Sequence, residues 1–281
     1  MPALVWRSQS RTYSVVIGDE VVQQLREGGY HPRTSKHSDF QSLIIIRDLV
    51  AQCPLIAARA KSGELVAKLR HHQTVGHADW VIDIALGTCA GIPATPIELD
   101  LGIGVIGMAP PVIIQIAIEL KSIWTEHGKA RLNRLRDFNS FHGYAHQYSP
   151  ETVAAAFLVV NSAEWFWSPL RDPDDLTRHG RPTKTARQLA KETLDRFRSI
   201  HLRNSVTDAP GLEALGVLVV EHDNIPLNPN AATHSAHHSE TIIAPSPPNV
   251  AVGDPLHYQS MIQRICNAYS QRFPAVGLTK P

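Results

Sequence analysis

A β-branched apolar run near the middle of the chain ends on two charges. Residues 111–118 read Pro-Val-Ile-Ile-Gln-Ile-Ala-Ile, a β-branched stretch of the kind that forms a buried strand. Glu119 and Lys121 follow, two positions apart, and alternate side chains on a strand share a face. A carboxylate and an ammonium therefore emerge side by side at the end of a buried element, where charge is costly unless paired or bound to metal. Next, residues 123–146 contain no proline and read as a helix, with Gly128 and Gly143 as weak points. Ile123, His127, Leu132, Leu135, Phe138 and Phe141 fall roughly on one of its faces, and Lys129, Arg131, Arg134 and Arg136 crowd the other.

Toward the N-terminus the pattern gives a short strand over 12–17 and a helix over 20–27. A second helix, capped at Ser38 and Asp39, runs to about Cys53, and a third starts at Pro54 and reaches about His72. Trp80 to Leu86 reads as a strand carrying Asp83, with Asp79 four positions earlier on the same face. His71, His72 and His77 then belong to a polar helix-to-strand loop, since the partners for a zinc site are missing. The Gly- and Pro-rich residues 88–111 form a detour between two neighbouring strands, with a short strand in its middle. Downstream come a strand over 152–160, packing aromatics at Trp165, Phe166 and Trp167, a helix over 185–201 and a strand over 216–221. Residues 224–255, with His234, His237 and His238, read as a mobile loop before a last amphipathic helix over 258–273. The order of elements predicts an α/β fold, a mixed central β-sheet flanked by helices, in a single domain. Its parts are a helical segment (1–75), a core (about 76–222), and a loop with the C-terminal helix (223–281).

The 281 residues, 43% hydrophobic, suffice for one large domain. A net charge of +1 carries no nucleic-acid footprint, but between Lys121 and Arg136 five Lys/Arg face one Glu. Gln115 and Glu119 interrupt the apolar run far short of a membrane span, and the N-terminus lacks the apolar stretch of a signal peptide. Cys53, Cys89 and Cys266 are scattered and odd in number, which argues against a disulfide framework and for a reducing cytoplasm. No P-loop, nucleophile elbow or H-E-x-x-H occurs. Gly102-x-Gly104-x-x-Gly107 precedes two prolines and a strand rather than a helix, so the dinucleotide-binding context fails.

An acid-x-Lys pair on a buried strand, a basic helix directly after it and an aspartate on an upstream strand together resemble the catalytic core of the PD-(D/E)xK nucleases, the superfamily of many type II restriction endonucleases. The resemblance covers roughly residues 79–161 and implies a restriction endonuclease-like core that hydrolyses double-stranded DNA with Mg²⁺. It assigns Asp83 and Glu119 to the metal, with the Leu120 backbone carbonyl completing the shell, and Lys121 to the attacking water or the phosphate. Lys129, Arg131, Arg134 and Arg136 would face DNA. The gap between Asp83 and Glu119 exceeds the family's usual one, so Asp79 and Asp100 compete as the upstream acid. Glu126 and Lys129 fit either a supporting role or a surface pair. The polar segment 171–187 suits a DNA-facing loop and an ordinary connection equally. One site per chain implies a C2 homodimer for cutting both strands, with Met261, Ile265 and Tyr269 as one candidate interface; a monomer nicking in sequence is the competing arrangement. Other classes are a repair or mobile-element nuclease, a small-molecule enzyme, and a non-catalytic DNA-binding protein on the same fold.

Overall fold

A strand-pairing map explains why two distant acidic residues meet. The computed structural model describes residues 17–91, 94–100, 104–170, 176–178, 183–225 and 241–274. Three helices, α1 (Ile17–Gly28), α2 (Lys36–Gln52) and α3 (Pro54–Lys61), lead into β1 (Leu65–Val75) and β2 (Ala78–Thr88). Then come β3 (Pro96–Asp100), β4 (Gly104–Met108), β5 (Ile113–Ile123), α4 (His127–Tyr148) and β6 (Val153–Asn161). The chain continues through β7 (Trp165–Trp167), β8 (Leu176–Arg178), α5 (Ala186–Phe197), β9 (Ala214–Glu221), β10 (Ile242–Ile243) and α6 (Tyr258–Arg272). The sheet is eight-stranded among the described residues, in the order β10-β9-β6-β5-β2-β1-β4-β3, while β7 and β8 form a separate ribbon. β1, β2 and β5 are successively antiparallel, and β5, β6 and β9 are parallel. The sheet is thus mixed and flanked by helices.

Alternation along the strands builds two cores. On β6, Val153, Ala155, Phe157 and Val159 pack under α1, α2, α3 and α6, whereas Ala154, Ala156, Leu158 and Val160 pack under α4 and α5. Burial on both faces is why β6 reads as an unbroken apolar run.

The detour of residues 88–111 is borne out: β2 and β5 pair directly, and β3 and β4 fold away to extend the sheet beyond β1. Gly87 leaves no room for a Cβ against the Ile113 carbonyl, so β2 and β5 approach closely there.

Several boundaries differ from the sequence reading. The helix beginning at Pro54 stops at Lys61, because Ser62 and left-handed Gly63 (φ 76°) turn the chain into β1. His71 and His72 therefore lie on a strand, and only His77 sits in a turn, after Gly76. β5 extends through Ile123, so α4 starts four residues later than expected. Leu132 is exposed on α4 rather than on its buried face, while Phe138 and Phe141 are buried as expected. The strand expected over 12–17 lies outside the described residues except for Ile17, which opens α1. His234, His237 and His238, and most of residues 171–182, also lie outside them. Within the expected loop 224–255, β10 pairs with β9, and the Asn249 side chain accepts from Val219 N–H (3.1 Å).

Met261, Ile265 and Tyr269 are fully buried between α6 and the sheet, which removes them as a dimer interface. Cys53 and Cys266 form a disulfide, contrary to the expectation from their number. They are 213 positions apart in sequence, and the fold alone brings α6 against the α2–α3 junction. Among the described residues no helix is long and apolar enough to cross a membrane.

Candidate active site

Asp83 lies where the β1–β2 ladder loses its regularity. The pairing runs Leu69 to Ile84 and then His71 to Ile82, skipping Arg70, whose φ of 49° is left-handed. Alternation slips at the same point. Trp80 and Ile82 pack on the α4 side of the sheet, while Ile84 and Leu86 pack on the opposite side. A non-glycine residue at positive φ is strained, and such strain gathers where structure serves function. The slip frees the Asp83 carboxylate to reach across to β5, where its Oδ2 accepts the Leu120 backbone N–H (2.7 Å). A strand residue's carbonyl leaves on the same side as its N–H, so the Leu120 carbonyl is directed to the same β2 edge.

Continuing the β2–β5 register from Ile84 opposite Ile118 places Asp83 opposite Glu119. Glu119 is 8% exposed and forms an ion pair with Lys121 on the same face of β5. Burial pushes the Glu119 carboxyl up to about 7, the nearby Asp83 charge adds to the rise, and Lys121 opposes it. Burial likewise raises Asp83, against the Leu120 hydrogen bond and Lys121. Two carboxylates thus share a confined site with one ammonium beside them.

The other candidate acids stand apart. Asp79 is exposed near the hairpin end and pairs with His72 (3.0 Å). Asp100 is on β3, four strands from β5 and so roughly 19 Å away at the usual strand spacing. Asp39, on the first turn of α2, is the acid that the sequence reading treated only as a cap. Its charge raises Asp83, and it accepts from Ser35 Oγ (2.9 Å) and pairs with Arg70 (3.4 Å). Asp137 on α4 similarly raises Glu119. Neither strand periodicity nor a motif marks these two, because helices packed over the sheet deliver them.

The basic face of α4 is divided. Arg131 pairs with Glu192 of α5 (3.1 Å). Arg134 pairs with Asp137 (2.8 Å) and donates to the Ser122 carbonyl (3.2 Å). Lys129 and Arg136 are exposed. Among the described residues, no group of three or more His, Cys, Asp or Glu could hold a metal by side chains alone. Comparisons with protein families, curated proteins and solved structures gave no match.

Proposed function

We propose that the protein is a Mg²⁺-dependent endodeoxyribonuclease with a restriction endonuclease-like core, most specifically a type II restriction endonuclease acting on double-stranded DNA. The observation that carries this reading is the meeting of Asp83, Glu119 and Lys121 across two adjacent strands, with Asp83 fixed by the Leu120 N–H. β5, α4 and β6 around them follow the order on which the resemblance to PD-(D/E)xK nucleases rests.

The donor set fits a hard divalent cation. Burial raises the proton affinity of both carboxylates, Asp83 adds to the rise at Glu119 and Asp39 to the rise at Asp83, so the local negative charge is under-compensated by Lys121 alone. Two carboxylate oxygens and the Leu120 carbonyl are the ligand types Mg²⁺ prefers, with water in the remaining positions. When bound, the cation would lower the pKa of a coordinated water and offset charge on the phosphate. The chain's own residues do the positioning. Leu120 N–H holds Asp83, Glu119 keeps Lys121 Nζ at the site, and that ammonium can orient the attacking water or donate to a phosphate oxygen. Lys129 and Arg136 on exposed α4 contact the DNA backbone. A C2 homodimer presents two such sites to the two strands of a duplex.

The test is incubation of purified protein with plasmid DNA and Mg²⁺, with and without EDTA. Discrete fragments support site-specific cleavage, random degradation points to a repair or mobile-element nuclease, and an intact plasmid at every divalent-ion concentration refutes the enzyme. Light scattering on a short duplex checks assembly: one chain per duplex with double-strand cutting retained would refute the dimer.

A further inference from the structure

The hairpin formed by β1 and β2 leaves the sheet at the candidate active site. Pairing of β2 with β5 ends at Ile84 opposite Ile118, whereas β1 and β2 stay paired out to Val75 opposite Ala78. Beyond Ile84 the hairpin is therefore an arm, and Asp83 sits at its fork with β5. Arg70 is the β1 residue that stands across from Asp83, between the pairs Leu69–Ile84 and His71–Ile82. Three features set it apart from an ordinary surface arginine.

The first is its backbone. A φ of 49° lies in the left-handed region, which glycine adopts freely and a residue with a side chain adopts at a cost. The chain keeps an arginine where glycine would fold more easily. The second is how loosely the guanidinium is held. Its side chain is 60% exposed, lies 3.4 Å from Asp39 Oδ2 and donates to Ser35 Oγ (3.2 Å), both at the start of α2. A tight guanidinium–carboxylate pair has two bonds of about 2.7–2.9 Å. Arg47, further along α2, makes such a pair: it is 11% exposed and joined to Glu20 through both terminal nitrogens (2.6 and 2.9 Å). Arg70 has one long contact with its carboxylate, and Ser35 Oγ already donates to the same Asp39 oxygen (2.9 Å). The third feature is where the charge falls. Asp39, the partner of Arg70, is close enough for its own charge to raise the Asp83 carboxyl. Lys121 is the cation on the β5 side of the fork, beside Glu119. Arg70 is its counterpart on the hairpin side.

We propose that Arg70 is a phosphate-binding residue of the active site, which leaves Asp39 to hold the DNA phosphate that enters the fork beside Asp83. The proposal rests on the nuclease reading, which supplies the DNA. A guanidinium offers two parallel N–H groups to two phosphate oxygens, a fork that the Lys121 ammonium cannot present. A single long contact with Asp39 is a small loss against that gain, and an exposed pair of this kind contributes little to the fold. The strained turn then serves twice. It lets Asp83 reach the Leu120 N–H, and it sets a cation across from that acid.

The test compares wild type, Arg70→Gly, Arg70→Lys and the double variant Asp39→Asn with Arg70→Gly. Three quantities are read: single-turnover plasmid cleavage in Mg²⁺, affinity for a short duplex in Ca²⁺ across a salt series, and melting temperature without DNA. Arg70→Gly should melt no lower than wild type, since glycine relieves the backbone angle. It should nevertheless cut at least tenfold more slowly, and its slope of log affinity against log salt should flatten by about 0.9. Guanidinium chloride, compared with sodium chloride at equal ionic strength, should restore part of the cutting to Arg70→Gly and none to Lys121→Ala. The double variant separates phosphate binding from mere neutralisation of Asp39, and it should stay as slow as Arg70→Gly. Should Arg70→Gly fail to fold, Arg70→Lys carries the test: it keeps the charge and the salt slope, loses the fork, and should cut at least several-fold more slowly. Wild-type cutting by Arg70→Gly with an unchanged slope, wild-type cutting by Arg70→Lys, or recovery of cutting in the double variant overturns the proposal and leaves the nuclease reading standing. A wild-type protein that neither binds nor cuts DNA overturns both.

Discussion

Replacing Glu119 by glutamine should stabilise the metal-free protein at pH 8 while removing its function. The magnitude follows from the site. The Glu119 carboxyl moves from 4.5 to about 7 in the fold, chiefly through burial and then through Asp83. At about 1.4 kcal/mol per unit, ionised Glu119 weakens the metal-free fold by about 3 kcal/mol. The sign is fixed by proton binding. The folded chain holds this proton more tightly than the unfolded chain, so its contribution is fully present below pH 4.5. It is lost as the pH rises through about 7 and stays lost above that. Glutamine keeps the shape and cannot ionise. The stability difference between Glu119→Gln and wild type, measured by urea unfolding, should therefore grow from near zero at pH 4.5 to about 3 kcal/mol at pH 8. Millimolar Mg²⁺ or Ca²⁺ at pH 8 should close most of that gap by stabilising only the wild type. A flat difference across pH, a variant weaker than wild type at pH 8, or equal cation stabilisation of both proteins would refute the reasoning.

Asp83→Asn should abolish DNA cleavage with folding retained, whereas Asp79→Ala, at the exposed hairpin end, should cut as wild type does; the reverse pattern in a plasmid assay would exchange their roles. Lys129→Ala with Arg136→Ala should flatten the slope of log affinity against log salt by about 0.9 for each phosphate no longer neutralised, while Arg131→Ala, already paired with Glu192, should change it less. Glu213→Ala should cost about 3–5 kcal/mol in unfolding experiments, because Arg203 and Arg272 (3% and 5% exposed) and His146 would be left around a missing charge. Glu213 is held below its ordinary pKa with His146 and Arg272 opposing the cost of burial, so its share of stability is present above the unfolded value and disappears as pH falls through the folded one. The same unfolding curves, run from pH 7 downward, check that sign.

Much of the sheet is legible in the sequence because its strands obey a simple period. β6 and β9 are buried on both faces and read as continuous apolar runs, and β5 ends on a charge pair that a core strand has no structural reason to carry. The pairing of β2 with β5 can be anticipated from the Gly- and Pro-rich composition between them. β1 escapes a pattern reading because Leu65 to Val75 alternates only after its first three residues, and its charged middle looks like a helix end. The start of α4 is ambiguous for a different reason: Ile123 and Trp124 are apolar in either structure. Long-range chemistry leaves no local trace at all. The Cys53–Cys266 bond joins residues 213 apart, the charge of Asp39 reaches Asp83 only through the packing of α2, and the slip at Arg70 depends on a backbone angle that arginine seldom adopts. The burial of Met261, Ile265 and Tyr269 does not follow from an amphipathic pattern, which specifies an apolar face without naming what covers it.

The central claim is that Asp83, Glu119 and Lys121 form one hydrolytic site, and single-turnover cleavage of supercoiled plasmid tests it most directly. Wild type, Asp83→Asn, Glu119→Gln and Lys121→Ala are compared at saturating protein, each with Mg²⁺ and with EDTA, and DNA binding is measured in Ca²⁺. The expected result is Mg²⁺-dependent cutting by wild type, a loss of at least a hundredfold in each variant, and binding retained in all four. Cutting by Glu119→Gln at the wild-type rate, or cutting by wild type in EDTA, would contradict it.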